Sequence, residues 1–362
     1  MPEQTKLLGP PSARLTGNRD WLLLVVPGLI WGASFLFIAE AMRAMGANGV
    51  TFVRILVGFA TLSLFRAARA PVVGSDWAGI VWLGVLWLAF PLRMFPLAEL
   101  HVSSALTGML NGANPLFTAI VAAAIARQVP SRLVSAGVSL GLTGAILMAL
   151  PAVNEGHSSA AGVGMIVAAL VSYGFALNIA GPLQQRNGAL PVIWRAQMVA
   201  LVLTAPSGVP DLVAARWMPG PMVALLALGV LGTGVAHVVI SVAAGRMGAT
   251  RASATTFLIP AVALVLGVVV RHEKVTLLSV LGSLVCLAGA WIMRHGQSSV
   301  EGQGKNRWLL ARDFLRRWPP RSSDFQECEQ KEKFEFGPAS PSKRCTAQDS
   351  VNDLLVYQHL WR

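Results

Sequence analysis

The sequence predicts an all-α integral membrane protein with ten transmembrane helices, arranged as two inverted five-helix repeats. Three observations predict this fold class: an apolar composition, ten apolar segments of spanning length, and residues that recur about 145 positions apart. Hydrophobic residues make up 54% and charged residues 13% of the 362 residues, whereas soluble domains carry about 25% charged residues. Most of this chain therefore cannot form a water-facing surface.

The apolar segments have about the 20 residues that a helix needs to cross a bilayer. They are predicted at 21–41, 49–66, 77–97, 105–126, 133–151, 161–182, 190–207, 221–244, 252–270 and 277–294. Lipid cannot satisfy backbone hydrogen bonds, and the segments lack the alternating pattern of barrel strands, so helices are the expected structure. The resulting organisation is an N-terminal segment 1–20, repeats at 21–151 and 161–294, and a hydrophilic tail at 295–362.

The repeat is indicated by matching residues in the two halves. Four pairs are 145 residues apart: Pro115/Pro260, Gln128/Glu273, Gly137/Gly282 and Gly144/Gly289. A fifth match, Trp31-Gly32 with Tyr173-Gly174, has an offset of 142. Because each repeat has an odd number of helices, the second copy enters the membrane from the opposite side. Inverted repeats are typical of secondary transporters, whose binding sites lie near the midplane between the copies.

The loop charges predict the orientation in the plasma (inner) membrane. With the N-terminus inside, ten Lys and Arg residues of the short connections fall inside and four outside, and positive charge favours the cytoplasmic side. The inside set is Lys6, Arg14, Arg19, Arg66, Arg69, Arg127, Arg132, Arg186, Arg246 and Arg251; the outside set is Arg43, Arg216, Arg271 and Lys274. Both termini are therefore predicted to be cytoplasmic.

The tail is predicted to be largely disordered. Its one patterned stretch, residues 307–318, places Trp308, Ala311, Leu315 and Trp318 on one helical stripe among four arginines. A short basic helix on the cytoplasmic lipid surface is the alternative to disorder there.

Five stretches of the chain resemble the EamA-type transporters of the drug/metabolite transporter superfamily. They are LIWGASFLFIAEAMR at 29–43, VTFVRILVG with Arg54, and the stretches 114–148, 228–253 and 259–293. The resemblance covers about 21–294. It implies a ten-helix fold and substrates among amino acids, metabolites, nucleosides or drugs. One departure is Gln128, where family members often carry Glu; Glu273 keeps the acid in the second half.

Polar and aromatic residues inside the predicted helices are the candidates for a substrate cavity. The predicted set is Trp31, Asn111, Asn114, Pro115, Tyr173, His237, Thr256 and Pro260. Pro115 frees the backbone carbonyl of Asn111 four residues earlier, which creates a polar patch at membrane depth. Kinks and amide bonds that hold helices together are the alternative for these residues, and packing is the alternative for Trp31 and Tyr173.

Three ionisable residues receive specific predictions, because charge inside a membrane is costly. His237 lies well within its helix and either binds a substrate, binds a coupled proton, or bonds to a neighbouring helix. Glu40 and Arg54 are predicted as an outer gate pair, with Arg54 alternatively anchoring an anionic substrate group; a structural ion pair or an Arg that reaches the interface is the other explanation.

The function predicted from these features is secondary transport, in the export direction, of a small metabolite, amino acid or drug-like molecule by alternating access. Channel-like and transport-impaired proteins are alternatives. A membrane-embedded enzyme is disfavoured because we find one deeply placed histidine and no deeply placed carboxylate. No catalytic residue, metal site, cofactor or nucleic-acid partner is expected. The expected partners are the substrate, the bilayer and, through glycine faces of the fifth and tenth helices, a second copy; the alternative is that these faces join the two repeats.

Overall fold

The computed structural model describes residues 21–154, 157–247 and 252–301, and every regular element in these ranges is helical. These residues belong to one compact unit within residues 1–303. The N-terminal segment 1–20 and most of the tail, including the stripe from Trp308 to Trp318, lie outside the described residues.

In the described ranges, a helical stretch lies at the position of each predicted segment. These stretches are α1 (Leu22–Ala41), α2 (Ala47–Ser63), α3 (Gly74–Glu99), α4 in two pieces (Ser104–Asn111 and Asn114–Ala126), α5 (Arg132–Asn154), α6 (His157–Asn187), α7 (Ala189–Val213), α8 (219–247), α9 (Ala254–Arg271) and α10 (Leu277–Glu301). Within the described residues, eight are long and apolar enough to cross a membrane, and the bent α4 is a ninth if its pieces form one span. The remaining helix, α2, is apolar but has only 17 residues.

Departures from α-helical geometry recur at equivalent positions of the two halves. A π-helical segment interrupts α3 at Gly84–Ala89 and α8 at Leu228–Val235, with starting points 144 residues apart. The residues that end α4 and α9, Arg127 and His272, are 145 apart and both adopt the left-handed conformation, with φ of 50° and 55°. The 145-residue offset found in the sequence therefore describes backbone geometry too.

The two halves interleave through equivalent contacts between first and fourth helices. Gly32 of α1 lies against Val262 of α9, where an added β-carbon would come within 2.8 Å of the valine Cγ1. Gly174 of α6, the counterpart of Gly32, lies against Phe117 of α4, with its β-carbon position 3.0 Å from the backbone oxygen. The first helix of each repeat thus packs on the fourth helix of the other.

The second and third helices also pack across the repeats, with α3 against α7 and α8 against α2. A β-carbon at Gly84 of α3 would lie 2.7 Å from the Cβ of Val199 in α7, and one at Gly229 of α8 would lie 2.6 Å from the Cβ of Val57 in α2. Both glycines belong to the π-helical segments. Small residues at these positions let the helices of opposite repeats approach closely.

The fifth helices, α5 and α10, are in direct backbone contact. A β-carbon at Gly144 would lie 2.6 Å from the carbonyl oxygen of Gly282, and one at Gly137 would lie 2.7 Å from that of Gly289. Because residue numbers rise along α5 while those of their partners fall, the helices run antiparallel. The glycine faces therefore join the two repeats within one chain, which decides between the two alternatives that the sequence left open.

Replacing Gly144 with alanine should destabilise the fold, because the backbone of α10 blocks the new methyl group. We expect the free energy of unfolding to fall by about 1–3 kcal/mol, the usual cost of overpacking. Gly164→Ala is the matched control, since nothing lies within 4 Å of the β-carbon position there. Thermal unfolding of the purified protein in detergent, followed by tryptophan fluorescence, measures the difference. Equal midpoints for the two variants would contradict the close α5–α10 contact.

Candidate functional site

Helix α4 breaks near the middle of the bundle. Its two pieces meet at an angle of 42°, and Pro115 is the second residue of the second piece. Proline lacks the backbone donor that an uninterrupted helix requires, so the disruption predicted at this residue is present. The break faces α9, because the β-carbon position of Gly112 is occupied by Cγ of Pro260.

Pro260 differs from its prediction in one respect. It was expected in the middle of a helix, but it lies in the first turn of the α-helix Leu258–Arg271, after the 3-10 turn Ser253–Phe257. Proline is readily accommodated in a first turn. Thr255 and Thr256 are on the 3-10 turn, where the hydroxyl of Thr255 donates a hydrogen bond of 3.0 Å to the backbone oxygen of Leu24 in α1.

Two amide side chains at the break have oxygens without a hydrogen-bond partner among the described residues. The side-chain oxygens of Asn111 and Asn114 are buried, and neither has a hydrogen-bond partner among the described residues. Leaving a buried acceptor unpaired costs about 1–3 kcal/mol. These two oxygens are therefore acceptors without a partner among the described residues, at the place where α4 packs on α9.

His237 lies between two tryptophans at the end of the π-helical segment of α8. Its ring centroid is 5.7 Å from that of Trp31 and 5.9 Å from that of Trp87, both in edge-to-face geometry. The indole nitrogen of Trp31 donates a 3.0 Å hydrogen bond to the backbone oxygen of Gly232. His237 is buried, and its Nδ1 has no hydrogen-bond partner among the described residues.

Trp87 is a neighbour of His237 that the sequence did not predict. The position 145 residues later is Gly232, so the comparison of the two halves gave no aromatic partner for it. The π-helical turn at Gly84–Ala89 places it, and such turns occur often at functional sites.

Arg54 is buried against α8 instead of facing Glu40. Its Nε donates a 3.3 Å hydrogen bond to the hydroxyl of Thr233, whose backbone oxygen also accepts a 2.7 Å bond from the side chain of Gln197. Arg54 interacts electrostatically with Tyr173, Glu99 and His237. Arg54 therefore lies among the other candidate residues. That it anchors an anionic substrate group stays a prediction.

Glu40 pairs with other cations, so the gate pair predicted with Arg54 is not formed. One oxygen of Glu40 lies 2.9 Å from Arg43 and the other lies 2.7 Å from Arg271, which also reaches Glu273 at 3.1 Å. This chain of ion pairs connects the last turn of α1 to the end of α9. The helix ends concerned are on the predicted outer side.

Glu273 caps the start of α4. Its carboxylate accepts hydrogen bonds from the backbone nitrogen and hydroxyl of Ser104, at 3.1 and 2.7 Å, and from the backbone nitrogen of Ala105, at 2.8 Å. Carboxylates at a helix start satisfy free N–H groups and complement the helix dipole. Gly267 makes room, since a β-carbon there would lie 2.7 Å from the carboxylate. Glu273 therefore stabilises the start of α4, whereas Gln128, its counterpart in the first half, is exposed.

Glu99 is a buried carboxyl group at the end of its helix that the sequence analysis did not single out. The predicted third segment stops at residue 97, whereas α3 continues to Glu99. Both carboxylate oxygens are buried, and neither has a hydrogen-bond partner among the described residues. Glu99 lines a cavity of about 320 Å³ together with residues of α4, α5 and the start of α10.

Tyr173 lies on the α3 side of the site. Its ring centroid is 5.9 Å from that of Phe95, one turn before Glu99. It also interacts with Arg54, so the paired aromatics of α1 and α6 are near the same guanidinium group as His237 and Glu99. The predicted residues thus fall into three groups. The first surrounds Arg54, the second lies where the α4 break packs on the start of α9, and Glu40 belongs to the outer ion pairs.

Comparison with known proteins agrees with this architecture. The model of the EamA-like transporter family matches residues 20–150 and again residues 160–294. A solved structure described as "Crystal structure of protein" is 16% identical, covers 80% of this chain and 100% of its own, and superposes with a TM-score of 0.53, which is a likeness of fold. None of the curated proteins matches. The two family matches fall on the two helical halves, and the chain belongs to the EamA-like transporter family.

Proposed function

We propose that this protein is a secondary transporter that exports a small metabolite, amino acid or drug-like molecule across the plasma membrane by alternating access. The observation that carries the proposal is the break in α4, where the buried amide oxygens of Asn111 and Asn114 have no partner among the described residues. The break packs on Pro260 of the other repeat. Irregular backbone between repeats is where transporters of this architecture bind their substrates.

The proposed topology has ten spanning helices in two inverted repeats, with both termini cytoplasmic. The antiparallel contact of α5 and α10 supports the inversion, because these helices are equivalent members of the two repeats. The 17 residues of α2 extend about 26 Å at 1.5 Å per residue, close to the hydrocarbon thickness of about 30 Å. The distribution of Lys and Arg between the two sides supports the orientation.

The groups in the site favour a substrate with both a donor and an acidic group. The amide oxygens of Asn111 and Asn114 can accept hydrogen bonds from an amine, and Arg54 can bind a carboxylate. Trp31 and Trp87 can contact an apolar portion next to His237. Amino acids and related zwitterions combine these features, and we propose them as the first substrates to test.

Asn114→Ala should weaken substrate binding, because it removes an acceptor from the α4 break. We expect KM to rise about tenfold with a smaller change in maximal flux, which corresponds to about 1.4 kcal/mol for one hydrogen bond to a charged donor. Counterflow of labelled amino acids in proteoliposomes measures this and also separates a saturable carrier from a channel. Asn154→Ala is the matched control, since Asn154 is exposed at the end of α5. An unchanged KM in the Asn114 variant, with normal folding, would remove the α4 break from the binding site.

His237→Gln should lower substrate affinity while leaving the pH dependence of transport in place. We assign His237 to the proposed substrate site as a contact residue, because it is buried between Trp31 and Trp87. Its predicted role in proton coupling is the competing explanation. Flux measured over a range of external pH distinguishes them: loss of the pH dependence in this variant would return the proton role to His237.

A further inference from the structure

The cavity at the predicted outer end of the bundle contains a carboxyl group that the proposed substrate site does not use. Glu99 is the last residue of α3, and the cavity of about 320 Å³ beside it is also lined by His101, Ser103, Lys274 and Ser279. Residues of four helices and of their connections line this space, which is open on one side. Glu99 therefore connects a cavity near one membrane face to the cluster around Arg54.

Glu99 differs from Glu40 and Glu273 in having no hydrogen-bond donor among the described residues. Glu273 accepts hydrogen bonds from Ser104, Ala105 and Arg271, and Glu40 is paired with two arginines. Both oxygens of Glu99 are buried without a hydrogen bond from any described residue. An ionised carboxylate buried in this way is costly, and the cost disappears when the group carries a proton.

The charged groups that act on Glu99 are committed to other contacts. Arg54 of α2 and Arg271 and Glu273 at the end of α9 interact with it electrostatically. Arg54 is bonded to Thr233, and Arg271 is bonded to Glu40 and Glu273. Tyr173 of α6 interacts electrostatically with Arg54, and His101 and Lys274 line the cavity. Two cations within electrostatic range but outside hydrogen-bonding contact leave Glu99 able to gain or lose a proton without breaking an ion pair.

We propose that the carboxyl group of Glu99 is the proton-binding site that links transport to a proton gradient, with the cavity as its path to external water. A proton moves from water in the cavity to a carboxylate oxygen of Glu99 and returns to water when the group ionises. In the ionised form Glu99 adds a negative charge to the cluster of Arg54, Tyr173 and His237; in the protonated form it does not. Proton binding thereby changes the charge that the substrate meets, which couples the two sites. The coupling rests on the proposed transport function, whereas proton binding itself does not.

The first test measures the proton-bearing carboxyl directly in the full-length wild-type protein. A hydrophobic carbodiimide takes up the proton of a carboxyl group in apolar surroundings, and the carboxylate oxygen then adds to its central carbon. The O-acylisourea formed rearranges to a stable N-acylurea, which mass spectrometry of peptides locates. We expect labelling at Glu99, decreasing as the pH is raised, and none at Glu40 or Glu273 in the same sample. Absence of the adduct at Glu99, with the reagent reacting on an added apolar carboxylic acid in the same vesicles, would overturn the proposal.

The second test measures coupling in proteoliposomes with a pH gradient. We expect Glu99→Gln to lose the pH dependence of flux, with Glu99→Asp and His237→Gln retaining it. Wild-type pH dependence in a folded Glu99→Gln variant would overturn the proposal. If Glu99 is labelled but the wild-type protein transports no substrate under any gradient, the proton site stands and the proposed transport function fails.

Discussion

Inside a bilayer every backbone donor and acceptor must find a partner within the protein, and the rest of this structure depends on that constraint. It accounts for the helical form of the apolar segments and gives special weight to the few places where the helical hydrogen-bond pattern changes. These places are the break in α4, the 3-10 turn before Leu258 and the π-helical segments of α3 and α8. All of them lie in helices that contact the opposite repeat, and the two π-helical segments border the cluster of Trp31, Arg54 and His237.

The charged side chains discussed above fall into two regions, one at the predicted outer end and one in the interior of the bundle. At the predicted outer end, Arg43, Glu40, Arg271 and Glu273 form a continuous chain in which each charge has a partner, and this chain fixes the ends of α1, α9 and α4. In the interior, charges are few and incompletely paired. A fully paired network holds structure together, whereas an incompletely paired one can respond to what enters it.

The sequence was informative where the physics is local and uninformative where it depends on how helices meet. Segment positions follow from apolar length, and the repeat follows from matched residues, so both agree with the helices found. The partner of Glu40 depends on the packing of α9 beside α1, which periodicity does not encode; Arg271 was therefore missed and Arg54 was chosen instead. Glu99 lies two residues beyond the predicted end of its segment, and helix ends are the least certain part of such predictions. Trp87 had no counterpart in the other half to mark it.

Helices of one repeat pack mainly on helices of the other, and this affects both the folding of the protein and its possible movements. Each half leaves the glycine faces of its helices without a surface to cover them until the other half has been inserted, so neither half is a complete folding unit. The same contacts bind α1 to α9 and α6 to α4. A transport cycle that swung one repeat as a block against the other would have to separate both pairs. In the proposed alternating-access cycle, the moving bodies would therefore be hybrids, each assembled from helices of both copies, and the hinge would lie within the repeats instead of between them.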